Sequence, residues 1–151
     1  MRMRLLAASA VLSAALAGCA SPAPRVAGPT PLADGLDAFL AAHPLAPDAA
    51  MRADVLVRST SASWHVVQTR RDEPPHRHPA HDLTVVVLRG HGTLHRADAP
   101  DVVLQAGDVA VVPRGSVHWF APDGVAVALL AYAPPLDAPD LEPVDTREGG
   151  R

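Results

Sequence analysis

Gly107-Asp108-Val109-Ala110-Val111-Val112-Pro113-Arg114-Gly115-Ser116-Val117-His118 is the stretch whose reading decides the fold, taken together with Pro75-His76-Arg77-His78 further up the chain. The long stretch is an apolar run that Pro-Arg-Gly stops and a histidine restarts. Such a break marks a tight turn between two strands. The short stretch places histidines at i and i+2, just ahead of the apolar run 83–88. Side chains two apart on a strand point to the same face, so His76 and His78 aim together. His118 arrives from a separate strand. Three imidazoles converging within β structure are a donor set suited to a transition metal.

The same alternation continues on both sides. Residues 55–58 and Ser63–Thr69 read as strands. In the second, Trp64, Val66 and Gln68 share one face, and His65, Val67 and Thr69 share the other. Trp64 is expected to pack in the core. Residues 83–88 are nearly all β-branched or apolar, as in a strand buried on both faces. Further strands are expected at 93–96, 102–104, Val109–Val112, 117–120 and 125–132, with turns at 89–92, 107–108 and 123–124. Many short strands at this spacing form a barrel or a sandwich. Ahead of them, 34–42 is a short amphipathic helix with Leu36, Phe39 and Leu40 on one face. Asp34 is its expected N-cap, and His43-Pro44 ends it. His43, His91 and His95 read as surface residues.

With these residues in view, the sequence resembles the cupin family. The second cupin motif is Gly, five residues, Pro, one, Gly, two, His, three, Asn. Gly107, Pro113, Gly115 and His118 fall in place, and only the closing Asn departs, because position 122 is Pro. The first motif is His, one, His, three or four, Glu, six, Gly. His76, His78 and Gly90 fit the longer spacing, which puts Leu83 where the Glu ligand belongs. The shorter spacing puts Asp82 there and leaves Gly90 one residue late. The resemblance implies an all-β fold, a double-stranded β-helix (jelly-roll) barrel preceded by the short helix. It implies a divalent transition metal on His76, His78 and His118. The fourth position stays open between Asp82, His81 and water. The inner wall is expected to be apolar, from Val85, Val87, Val111 and Phe120. Such a site suits a metal-dependent enzyme of dioxygenase or isomerase type, or a non-catalytic binding or sensing lipoprotein using the same pocket. No separate general base stands out.

The N-terminal end reads as targeting. Arg2 and Arg4 precede an apolar run, residues 5–17, that is short for a membrane span. It ends in Leu16-Ala17-Gly18-Cys19, which resembles a bacterial lipobox. That resemblance implies that Cys19 is lipidated and becomes the first mature residue. The organisation expected is a signal peptide at 1–18, a lipidated Cys19 and Pro-rich tether at 19–33, a helix and connection at 34–51, and a cupin domain at 52–133. The Pro- and acid-rich tail 134–151 is expected to be disordered or draped over the domain. The implied location is the periplasmic side of a bacterial membrane, the outer one in particular.

Composition bounds the partners. The 13 basic residues are all Arg, set against 16 acids, for a net charge of −3. With no basic patch, nucleic acid is excluded as a partner class. A small-molecule ligand is expected, with membrane attachment through the lipid anchor alone, and a homodimer is compatible with the chain. The single Cys leaves no internal disulfide. Without a twin-arginine pair, the chain is expected to cross the inner membrane unfolded and to acquire its metal outside the cytoplasm. An all-imidazole site there favours Zn or Cu, with Fe, Mn or Ni as the other metals such a site accepts.

Overall fold

The computed structural model of the chain describes residues 34–145. The expected signal peptide, Cys19 and tether lie outside the described residues, as do positions 146–151. In chain order the elements are α1 (Leu36–Ala42), β1 (Met51–Arg58), β2 (Ser63–Thr69), β3 (His76–Arg77), β4 (Asp82–Arg89), β5 (His91–Arg96), β6 (Ala99–Gln105), β7 (Val109–Val112), β8 (His118–Pro122), β9 (Ala126–Ala133) and β10 (Glu142–Pro143). The strands form two antiparallel five-stranded sheets, ordered β1-β2-β9-β4-β7 and β10-β3-β8-β5-β6. This is the expected double-stranded β-helix. β2 and β7 have the bounds read from the sequence. β1 and β6 start earlier than expected, at Met51 and Ala99 rather than at positions 55 and 102.

Period-two alternation sorts β4 into two useful faces. Leu83, Val85 and Val87 point between the sheets, while Val86 and Leu88 point outward. The outward pair is covered by α1, whose Leu36 and Phe39 are buried with Leu56, Val66, Leu88 and Val127. A central strand can therefore be apolar on both sides, as its composition requires. The N-cap of α1 is Gly35 rather than Asp34. Gly35 has φ 93°, a left-handed setting that glycine adopts without strain, and no side chain caps the helix. At the other end, His43 is half-buried rather than exposed. Its ring stacks on Phe39 at 4.3 Å, and both its backbone N–H and its Nδ1–H reach Phe39 O.

Two expectations about facing fail for identifiable reasons. Trp64 shares a face with Val66 yet is only half-buried and belongs to neither buried cluster. A seven-residue helix spans about 10 Å and covers one stretch of the sheet only. Val111 is 58% exposed, and its neighbours Ala110 and Val112 pack against the inner cluster instead. The expectation placed the strand in the wrong parity, and a one-residue error inverts every side chain.

Gly92 in β5 sits where the sheet allows no side chain. A Cβ there would come 2.5 Å from both the Ala121 carbonyl oxygen and the Phe120 ring. Gly92→Ala is predicted to destabilise the fold by about 1–3 kcal/mol, the usual cost of overpacking a core. Urea unfolding monitored by tryptophan fluorescence measures it.

Candidate metal centre

β3 is two residues long, and its register sets the site. It pairs with β8 so that His76 lies directly opposite His118. His78 follows immediately after the strand. The Pro113-Arg114-Gly115 turn is stitched onto it, because Gly115 N–H donates to His78 O at 2.9 Å. Gly115 has φ 79°, which suits the residue type that both the turn and the sequence pattern place there. The three imidazoles end up at ring-centroid separations of 4.5 to 5.6 Å. One potential ligand atom from each lies within 4.8 Å of the others, and all three residues are buried. Metal–nitrogen bonds of about 2.1 Å put tetrahedral ligand nitrogens about 3.4 Å apart, so small side-chain adjustments would close the set on an ion.

The hydrogen bonds determine which nitrogens face inward. His76 Nδ1–H donates to Pro74 O at 2.8 Å, and His118 Nδ1–H donates to Ser116 O at 3.0 Å. A carbonyl can only accept, so each Nδ1 carries a proton, and it is Nε2 that offers the lone pair for a metal. His78 Nδ1–H donates to Asp140 Oδ1 at 2.8 Å, with the same consequence. Metal-binding imidazoles are held in this manner, one nitrogen on an oxygen acceptor and the other free. Electrostatics agree. Burial drives the His118 pKa down to about 4, helped by the neighbouring His76 and His78. Burial also lowers His78, and Asp140 offsets part of that shift. These two imidazoles are neutral at neutral pH, the form that binds a metal.

The candidates for a fourth ligand are not brought to this point. Asp82 lies outside the converged set, with its side chain 45% exposed. It accepts from Arg114 N–H at 3.0 Å and from Arg114 Nη2 at 2.6 Å, and these bonds hold its pKa at about 2. The reason is parity: Leu83 faces inward, so its predecessor on β4 faces out. Leu83, only 3% exposed, occupies the inward position with an apolar side chain. His81 is also outside the set. Its Nδ1 meets Asp140 and its Nε2 meets Pro135 O at 3.3 Å. His91 and His95 pair with Asp123 and Asp101 away from the site.

Two acids escaped the sequence reading. Asp140, from the tail, holds both His78 and His81. Burial alone would raise its pKa, but the hydrogen bonds from His81 and His78 outweigh that and lower it. Glu73, read as part of a polar turn, instead lines the pocket between the sheets. Its Oε2 accepts Phe120 N–H at 3.2 Å, and its own N–H donates to Phe120 O at 3.0 Å. Burial pushes the Glu73 carboxyl up, against the lowering effects of His76 and the Phe120 N–H. Each acid acquires its role from residues dozens of positions away, Asp140 from His78 and Glu73 from Phe120.

The histidines line a cavity of about 160 Å³. Its walls include Val85, Val87, Leu94, Leu104, Phe120 and Leu130, with Tyr132 beside the histidines. Val111 takes no part. Tyr132 packs its ring edge-on to His78 at 5.4 Å, and burial, with Glu73 and Asp140 nearby, raises its phenol. The cavity is thus largely apolar, with the histidine cluster, the Glu73 carboxyl, Thr69 and Tyr132 as its polar lining.

Comparison with known proteins agrees with this architecture. Residues 63–132 match the family described as the cupin domain. The match begins at β2 and ends within β9, so it leaves out β1, which completes the first sheet, and the segment carrying Asp140. An uncharacterized protein from Aquifex aeolicus (strain VF5) is 35% identical over 86 residues, which span 56% of this chain and 70% of that protein. Among solved structures, a double-stranded β-helix protein from Klebsiella pneumoniae subsp. pneumoniae superposes with a TM-score of 0.56 at 19% identity, covering 67% of this chain and 90% of that one. Ectoine synthase from P. lautus also superposes at 0.56, with 13% identity and coverage of 64% and 77%. At these identities the superpositions speak for the fold alone.

Single Ala substitutions at His76, His78 and His118 are each predicted to lower bound metal at least tenfold, since a two-imidazole remnant binds far more weakly. Asp82→Ala is predicted to leave metal content unchanged. Metal per chain by mass spectrometry, after identical purification, checks both.

Proposed function

We propose, for a chain that belongs to the cupin superfamily, that His76, His78 and His118 hold one divalent transition metal ion and that the protein acts through it on a small, largely apolar molecule in the barrel. The observation that carries this reading is the tautomer pattern. Every Nδ1 of the trio is spent on an oxygen acceptor, and this leaves three Nε2 lone pairs at the head of an apolar cavity. Nothing in the packing of a β-barrel requires three imidazoles so arranged. A metal bound there would supply Lewis acidity and open coordination positions for an oxygen or nitrogen group of the ligand.

This chain's own residues supply the rest. The wall around Leu94, Leu104 and Leu130 excludes water and accepts an aliphatic or aromatic body. Glu73 is the carboxylate that could take and return a proton on that body, and burial raises its pKa above the ordinary carboxylate value, which makes it a stronger base. That placement favours an enzyme, of oxidoreductase or isomerase type, over a binding protein. The test is a screen of small apolar acids, ketones and phenols with metal-loaded protein, with and without chelator. Turnover that chelator abolishes supports the reading, and binding without turnover supports the non-catalytic alternative. Glu73→Gln is predicted to lower kcat by about 100-fold or more, as loss of a general base does, while metal content stays at the wild-type level.

The location belongs to the same proposal. Lipidation of Cys19 would anchor the domain through the Pro-rich stretch 19–33 on the periplasmic side of the membrane. Ligands assembled only on folding cannot carry a metal through an unfolded crossing. At an imidazole site, ligand softness and the Irving–Williams order then select Zn or Cu. With Asp82 turned away, no carboxylate of β4 shifts that preference toward Mn or Fe. Protein taken from its native envelope is therefore predicted to contain Zn or Cu, and Cys19→Ser to leave the membrane fraction or to accumulate unprocessed. Fractionation and elemental analysis of both preparations decide it. Stoichiometric Mn, or a mature-length mutant that stays with the membrane, would overturn these two points.

A further inference from the structure

The three histidines are not held alike. His76 and His118 each use the backbone carbonyl two residues earlier, so each is set by its own loop. His78 uses Asp140, which lies 62 positions away on the segment that follows β9. That segment, residues 134–145, touches both sheets. Leu136 N–H donates to the buried Ser63 Oγ at 2.9 Å, and Ser63 in turn bonds His65 Nε2 at 2.9 Å. Arg77 pairs with Glu142 at 2.9 Å, and Val144 N–H donates to Pro75 O at 2.9 Å. β10 adds to the second sheet beside β3, with Pro143 opposite His76. Leu141, next to Asp140, forms part of the pocket wall.

Most of these ties are polar and few are apolar. Leu141 remains 44% exposed, and Leu136 alone packs against the inner cluster. A segment held in this way belongs to the low-stability end of a fold. Its polar anchor at the histidines is the half-buried Asp140 carboxylate, whose side chain is 15% exposed. That anchor grips the ring of a candidate metal ligand, a second histidine, His81, and the Ala80 N–H at 3.3 Å.

We propose that Asp140 is a positioning residue that couples metal occupancy of the three-histidine site to closure of the 134–145 segment over the pocket; this rests on the metal reading above. The physical basis is the shared imidazole. A cation drawing on the Nε2 lone pair makes Nδ1–H a stronger donor, so its bond to a carboxylate strengthens. The carboxylate in turn makes Nε2 a better ligand and fixes the ring's direction. Whatever factor the closed segment adds to metal affinity, the metal must add to closure, because linkage is reciprocal. His81 takes the other carboxylate oxygen, so the anchor stays in place without blocking the site. Metal loading would thereby also complete the pocket wall through Leu141.

The test uses the full chain and Zn²⁺ alone as the probe. Affinity is read by competition with a chromophoric chelator for wild type, Asp140→Asn and Asp140→Ala. A loss of about 10–100-fold is expected, smaller for Asn, which keeps an acceptor but not the charge. The second measurement is hydrogen exchange at the Leu136 and Val144 amides of the wild type, which needs no variant. Exchange there should slow by about the factor that Asp140 adds to Zn²⁺ affinity. A purely structural tail would leave that exchange indifferent to Zn²⁺. Zn²⁺ binding that is unchanged in both variants, or exchange at 136 and 144 that ignores Zn²⁺, overturns the coupling and leaves the metal reading intact. A wild type that binds no Zn²⁺ overturns both.

Discussion

The pairing of His76 with His118, the single rung that joins the two-residue β3 to β8, is the contact on which the rest of the site depends. So short a ladder has little stability of its own, and its neighbours must hold it. On one side Gly115 N–H donates to His78 O, which fastens the Pro-Arg-Gly turn to β3. Asp82 then clamps the same turn through the backbone N–H and guanidinium of Arg114. On the other side β10 and Val144 N–H close the edge. Asp82 thus serves the site by fixing the geometry of the turn that leads to His118. The carboxylate that sequence spacing nominates as a ligand is spent on structure, one residue out of phase with the inward face.

Much of the barrel was legible because turn chemistry and alternation coincide. β2 and β7 could be bounded from sequence, and the turns near 90, 107 and 124 coincide with positive-φ glycines. The doubly buried β4 was legible from its β-branched run, although its outer cover, α1, had to be inferred separately. What escaped was whatever depends on tertiary support. β3 has too few residues for a periodic signal, and it exists because β8 and β10 flank it. The inward parity of β7 depends on its register with β4, where Leu83 opposes Val112 and Thr84 opposes Val111. Local hydropathy carries no information about that register, since Val109 through Val112 are all apolar.

The site divides along the same line. Its three histidines were found because i, i+2 spacing and the Gly-Pro-Gly-His offsets are local rules with geometric meaning. Asp140 was not, because a Pro- and acid-rich tail gives no sign that one of its acids turns inward. Glu73 was hidden for a different reason. Its neighbours Asp72, Pro74 and Pro75 read as a solvated turn, and only the reciprocal bonds with Phe120 bring it to the cavity. An acid directly preceding a Pro-Pro-His-x-His stretch is still a usable sign in hindsight, because the prolines stiffen the link between that acid and the first histidine.

The charge arrangement explains why these two acids sit where they do. Three imidazole ligands would leave a divalent ion with its full charge in an apolar cavity, and a buried uncompensated charge is costly. A carboxylate in the inner shell would reduce that charge but would also fill a coordination position. Leu83 puts an apolar side chain there instead. The acids stand further out: Asp140 sits behind His78, one imidazole removed from where an ion would be held, and Glu73 stands at the cavity wall near His76. Negative charge would thereby be kept close to an ion without filling a coordination position. The first acid would act through a ligand ring and the second would face whatever enters the cavity, so charge compensation and open coordination positions need not compete.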